Sequence, residues 1–97
     1  MKAYFKKFEM GQNWCNGYVG DYFFEAKSFD TGSIFGIDGG RVSKLSIKRA
    51  DTVGNGRDWF DGVVVNYDRG WDIEPTAEVM AEYEAVMELL ENAPPRF

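Results

Sequence analysis

The densest chemistry in this 97-residue chain lies in its glutamates: Glu74, Glu78, Glu82, Glu84, Glu88 and Glu91 fall within EPTAEVMAEYEAVMELLE, residues 74–91, with no Lys or Arg among them. Carboxylates in such a run can hold a cation, exchange protons as an acid/base pair, or show negative charge to a basic surface. The first two need partners that the chain lacks. It has no histidine, which removes the commonest general base and the commonest metal ligand together, so zinc and haem sites are not expected. Its single Cys15 has neither a His to activate it nor a second Cys to pair with, and reads as a packing residue. No nucleophile arrangement or acid/base pair is visible, so the expectation is a non-enzymatic protein with no cofactor and no metal.

Three shorter motifs have chemical readings to weigh. Asp68, Asp72 and Glu74 could gather a cation, but the regular oxygen ligands and closing Glu of a calcium loop are missing; turn hydrogen bonds and charge near a helix start suit them better. Asp38-Gly39-Gly40-Arg41 has the glycines of a phosphate-cradling loop without the Gly-Lys-Ser/Thr ending or a following helix, so an ordinary turn is preferred. In Asp68-Arg69-Gly70-Trp71-Asp72, Arg69 and Trp71 are residue types enriched at binding hot spots. The plainer alternative is that Trp71 staples a helix to a sheet while Arg69 pairs with a carboxylate.

The glutamates are positioned by a helix. Val79, Met80, Tyr83, Val86, Met87 and Leu90 make the apolar stripe of an amphipathic helix over about 75–92. Pro75 suits its first turn, Glu74 or Thr76 would cap it, and Pro94-Pro95 end it. Glu74, Glu78 and Glu82 then run down one flank of the stripe and Glu84, Glu88 and Glu91 down the other. Like charges at i, i+4 cost roughly 0.2–0.5 kcal/mol per pair, a small penalty that Lys would remove. Six glutamates over about 26 Å give one charge per roughly 4 Å, against one per roughly 1.7 Å in duplex DNA. The helix can imitate one strand of phosphates but not a duplex, and a face that simply keeps the protein soluble is the bland alternative.

Upstream, the chain reads as strands and turns over about 4–73. A first strand covers Tyr4–Glu9, Asn16-Gly17 looks like a tight turn, and 18–29 alternates as one strand with Tyr18, Gly20, Tyr22, Phe24 and Ala26 inward. Residues 30–40 hold four glycines but also Ile34, Phe35 and Ile37, the composition of an ordered loop against the core. A third strand, 41–49, points Ser43, Leu45 and Ile47 inward and leaves Arg41, Lys44, Lys48 and Arg49 on a small basic outer face. Residues 51–56 break the pattern, and 57–62 either extend that loop or begin the returning strand. Val63–Tyr67 is the clearest strand, and Gly70 is the residue for a positive φ in the turn after it. The expected fold is α+β: an antiparallel meander of about four strands with one C-terminal amphipathic helix packed on one face.

Length and aromatic content agree with one domain, residues 1–97, filled by eight Phe, five Tyr and three Trp. No apolar run approaches the roughly 20 residues of a membrane span, and residues 1–7 lack a signal-peptide core; with the lone thiol this reads as cytoplasmic, away from membranes. The net charge of −5 is uneven: residues 1–69 carry ten Lys and Arg against nine Asp and Glu, whereas residues 70–97 carry seven Asp and Glu against Arg96 alone. That balance opposes direct nucleic-acid binding.

Residues 18–24 (YVGDYFF), 35–45 (FGIDGGRVSKL) and 66–75 (NYDRGWDIEP), with Trp14 and Gly17, resemble an uncharacterised family of small proteins, a domain of unknown function from Gram-positive bacteria, their plasmids and phages, over roughly residues 14–91. The chain departs from the family pattern in an extra N-terminal segment and a longer loop at 51–61. The resemblance implies no catalytic residues; it implies an association with mobile elements. The resulting expectation is an accessory factor of a phage or mobile element that presents the acidic helix to a basic, nucleic-acid-binding host protein, in the manner of an anti-CRISPR or other defence inhibitor. Its contacts would be Glu78, Glu82, Glu84, Glu88 and Glu91, anchored by Arg69 and Trp71. The alternative is a metabolite-binding domain using the loops around Trp14, Phe35, Trp59 and Trp71, and the aromatic surplus leaves a homodimer open.

Overall fold

In the computed structural model, which describes residues 1–54 and 58–96, apolar residues alternate along six extended stretches, and each is a strand. They are β1 (Ala3–Lys7), β2 (Trp14–Val19), β3 (Tyr22–Ser28), β4 (Val42–Arg49), β5 (Val63–Asp68) and β6 (Trp71–Ile73). All pair with their sequence neighbours, antiparallel, in the order β1-β2-β3-β4-β5-β6. The meander and the single helix therefore hold, but the strands number six rather than about four.

The two extra strands have local causes. The stretch 18–29 is broken by a hairpin in which Val19 faces Tyr22 and Gly20 takes a φ of +53°, a left-handed first loop position that favours glycine. Val19 thereby joins Phe24 and Ala26 on the buried face, where an unbroken strand would have put it outside. Asn16-Gly17 is not a turn: both sit within β2, opposite Glu25 and Phe24. Gly17 is there because a Cβ would collide with the Tyr4 carbonyl oxygen and the Phe24 ring. At the far edge, Trp71–Ile73 turns back to pair with β5. The left-handed residue of that turn is Arg69, at φ +56°, and not Gly70.

Lys27 faces Lys44 and Ser28 faces Val42, which leaves Ser43 as the extra residue of a β-bulge. The bulge turns Val42 into the core in place of Ser43, while Leu45 and Ile47 stay inward as their alternation requires.

The helix α1 (Met80–Glu91) follows a 3₁₀ turn at Ala77–Val79. It starts later than Pro75 suggested, and neither Glu74 nor Pro75 is helical; Thr76 stands before the first turn without a side-chain capping bond. Val79, Val86 and Leu90 bury against Cys15, Val19, Phe24, Leu45, Ile47 and Val65, with Tyr83 and Met87 packed around them. Each such aliphatic side chain removed from water contributes about 1.5–3 kcal/mol, so the stripe is what holds the helix on the sheet. In the loop between β3 and β4, Ile37 tucks under the core, but Ile34 is 90% and Phe35 50% exposed. Of the break between β4 and β5, residues 55–57 lie outside the described residues. Residues 50–52 form a 3₁₀ turn, and 58–62 extend the loop before β5 begins at Val63.

Candidate functional site

The packing of the apolar stripe decides where the glutamates go. Glu78, Glu84 and Glu88 are exposed and Glu82 is half-buried. Among the described residues, none of these four meets a Lys or Arg in an ion pair. Glu91 differs. Its two carboxylate oxygens accept the Arg41 backbone N–H at 3.1 and 2.9 Å, and Arg41 Nη1 donates to the Glu91 carbonyl at 2.8 Å. Arg41 Nε donates to the Phe29 carbonyl at 2.6 Å, so this arginine clasps the end of the helix to the β3–β4 loop instead of joining a basic outer face. Gly40 makes room for the clasp, since a Cβ there would press on the Glu91 carboxylate.

Arg69 and Trp71 sit in a chain of ring contacts that starts at the helix. Trp71 lies 5.8 Å from the Tyr83 ring and 5.0 Å from the Tyr67 ring, both edge-on. The Tyr67 hydroxyl donates to the Phe35 carbonyl at 2.8 Å, and the Arg69 guanidinium stands 5.8 Å over the Phe35 ring. Trp71 is thus both a staple between sheet and helix and a 37% exposed aromatic surface beside it. Burial pushes the Tyr83 hydroxyl up to about 12, with the charges of Asp38 and Glu91 adding to the effect.

Of the carboxylates that could have gathered a cation, Asp68 and Asp72 each have partners of their own. Lys44 Nζ lies 3.6 Å from Asp68 Oδ1 and Arg69 Nε 4.0 Å from the same oxygen, while Asn66 Nδ2 donates to Asp72 Oδ2 at 2.9 Å. Among the described residues no three His, Cys, Asp or Glu side chains converge on a point that could hold a metal ion. Cys15 is buried with its thiol 3.7 Å from the Ala26 carbonyl. Burial pushes the thiol up, against the opposing pull of the Arg96 guanidinium.

The fold brings together three cations that sequence reasoning left apart: Arg69 among the partner contacts, Lys44 on a basic outer face, and Lys27 with no role assigned. Lys27 and Lys44 are cross-strand partners on the sheet face opposite the helix, and Arg69 joins them from the β5–β6 turn at the mouth of a cleft. The signal was present only as isolated basic residues, because strand pairing and the Ser43 bulge bring them together.

Among the described residues no helix is long and apolar enough to cross a membrane. No curated protein and no solved structure matches the chain. Residues 13–91 match the family described as Domain of unknown function (DUF7678), a span that runs from the start of β2 to the end of α1. With most of its length inside that match, including five of the six strands and the whole acidic helix, the chain belongs to this family.

Proposed function

We propose that this protein is a non-enzymatic binding factor whose acidic helix face docks on a basic, nucleic-acid-binding protein. The observation that carries the reading is that, among the described residues, Glu78, Glu82, Glu84 and Glu88 meet no Lys or Arg in an ion pair, along a 3₁₀ turn and helix that hold no basic residue of their own. Surface glutamates of an ordinary helix gain by alternating with lysine at i, i+4; a uniform row forgoes that gain and suits a cationic partner. Trp71, exposed next to Tyr83 on the same side, supplies an aromatic anchor, and Arg69 with Phe35 extends it. Glu91 is engaged by Arg41 and contributes chiefly by fixing the helix end. The resemblance of residues 14–91 to small proteins of Gram-positive plasmids and phages, through motifs such as NYDRGWDIEP, supports a cytoplasmic role in a mobile element and a host defence nuclease as the partner.

The test is a tagged pull-down from bacterial lysate beside a variant with Glu78, Glu82, Glu84 and Glu88 changed to Gln, followed by competition of the captured protein with DNA. A basic protein held by the wild type, released as salt is raised and displaced by DNA, is the expected result. Equal recovery by the variant would reduce the acidic face to solvation.

A further inference from the structure

Between the β3–β4 loop, the paired ends of β3 and β4 and the β5–β6 turn lies a cleft of about 520 Å³, within the roughly 300–1,000 Å³ of small-molecule sites. Its walls include Lys27, Lys44, Arg69, Phe29, Phe35 and Ser43, and among the described residues no carboxylate lines it. We propose that this cleft binds a phosphomonoester carried on a planar ring, such as a nucleoside monophosphate, with the phosphate against the three cations and the ring against Phe29 and Phe35.

The charge fits. Lys44 and Arg69 share a single carboxylate oxygen of Asp68, just outside the lining, and Lys27 shares in none of the ion pairs among the described residues. Three cations and one carboxylate leave two positive charges, the complement of a phosphomonoester that is close to a dianion at pH 7. The concentration of charge is local, since the chain as a whole is at −5.

The rings fit as well. Lys27 Nζ stands 5.9 Å over the Phe29 ring and the Arg69 guanidinium 5.8 Å over the Phe35 ring, so each cation is already next to an aromatic surface. A ligand with its anion and its planar group a few ångströms apart meets both together.

The backbone is held for the purpose. The bulge at Ser43 interrupts the ladder, and the carbonyl it frees accepts the Arg69 N–H at 2.9 Å. That bond holds Arg69 at φ +56°, a conformation uncommon for a residue with a side chain, although Gly70 stands next to it. A turn built only to reverse the chain would place the glycine at that position; this one spends the strained position on the cation.

The test is an amide-shift NMR titration of the full chain with adenosine 5′-monophosphate, uridine 5′-monophosphate and phenyl phosphate, beside adenosine, inorganic phosphate and a short thymidine oligonucleotide. Saturable shifts centred on residues 27–35, 42–44 and 69 are expected with the ring phosphates, and affinities at least tenfold weaker for adenosine and for inorganic phosphate. Lys27→Gln and Lys44→Gln should each weaken binding about tenfold or more, the size of one charge-assisted contact, with the dispersed spectrum of the folded chain retained. Absence of saturable shifts there with all three ring phosphates, or equal binding by the double variant, overturns the proposal. Inorganic phosphate binding as tightly as the nucleotides overturns the role of the rings, and tighter binding of the oligonucleotide at the same amides assigns the cleft to a nucleic-acid strand instead. None of these outcomes depends on the acidic helix face.

Discussion

At Glu91 one carboxylate takes a backbone N–H fifty residues away on both of its oxygens, and the residue loses its freedom to act as a surface charge. Replacing it with alanine leaves the Arg41 N–H without its acceptor. We expect Glu91→Ala to cost about 1–3 kcal/mol in urea unfolding, or about 4–8 °C in the melting midpoint per kcal/mol, whereas Glu84→Ala stays within about 0.5 kcal/mol of wild type. Nothing in the sequence separates these two glutamates, because the difference lies in a contact with Gly40-Arg41 that no local pattern encodes. Tyr83 gives a second prediction at this scale. Its hydroxyl has an ordinary value of 10 unfolded and is pushed up to about 12 in the fold. The unfolded chain therefore releases this proton first, and stability that is complete below pH 10 is lost as pH rises towards 12. Measured between pH 9 and 11.5, the unfolding midpoint of wild type should fall more steeply than that of Tyr83→Phe; parallel slopes would sink the assignment.

At the scale of elements, legibility followed how much of an element is set by its own residues. Val63–Tyr67 and the stripe from Val79 to Leu90 are visible because β-branching and helical spacing are local. Asn16-Gly17 misleads for the same reason: the dipeptide favours a turn, but pairing with β1 and β3 needs a residue without a side chain at that crossing, and pairing prevails. Gly17→Ala should accordingly destabilise the fold by about 1–3 kcal/mol, as overpacking does, where a turn glycine with open space around it would not. The candidate site divides in the same way. The acidic row on α1 was legible from spacing, whereas Lys27, Lys44 and Arg69 come together only through the β3–β4 register and the bulge at Ser43. For the helix itself, Glu88→Lys replaces a like-charge pair with Glu84 by an attractive one. We expect a gain of roughly 0.4–1 kcal/mol in stability together with loss of partner capture in the pull-down. A variant that is both more stable and fully competent would show that the row is not a contact surface.

For the molecule as a whole the charge is divided, with a row of glutamates along the C-terminal helix and Lys27, Lys44 and Arg69 gathered around one cleft. The far ends of the chain are tied across the same body. Arg96 Nη1 donates to the Ser28 carbonyl at 2.7 Å, Nη2 to the Phe8 carbonyl at 3.3 Å, and the guanidinium lies 4.5 Å over the Phe8 ring. Cys15 sits under this tie and is buried, so a thiol reagent reaches it only when the structure opens. Arg96→Ala should raise the labelling rate of Cys15 about tenfold, matching a loss of one or two such bonds; an unchanged rate would place the opening elsewhere. The order of the elements has a consequence for synthesis. Neighbouring strands pair in microseconds, as soon as each hairpin is complete, but residues 74–91 are made after all six strands and need about 1–4 s at the usual pace of translation. Through those seconds Phe24, Leu45, Ile47 and Val65 stand uncovered on the nascent sheet, which makes this interval, more than any state of the finished protein, the one in which chaperones and aggregation compete for the chain.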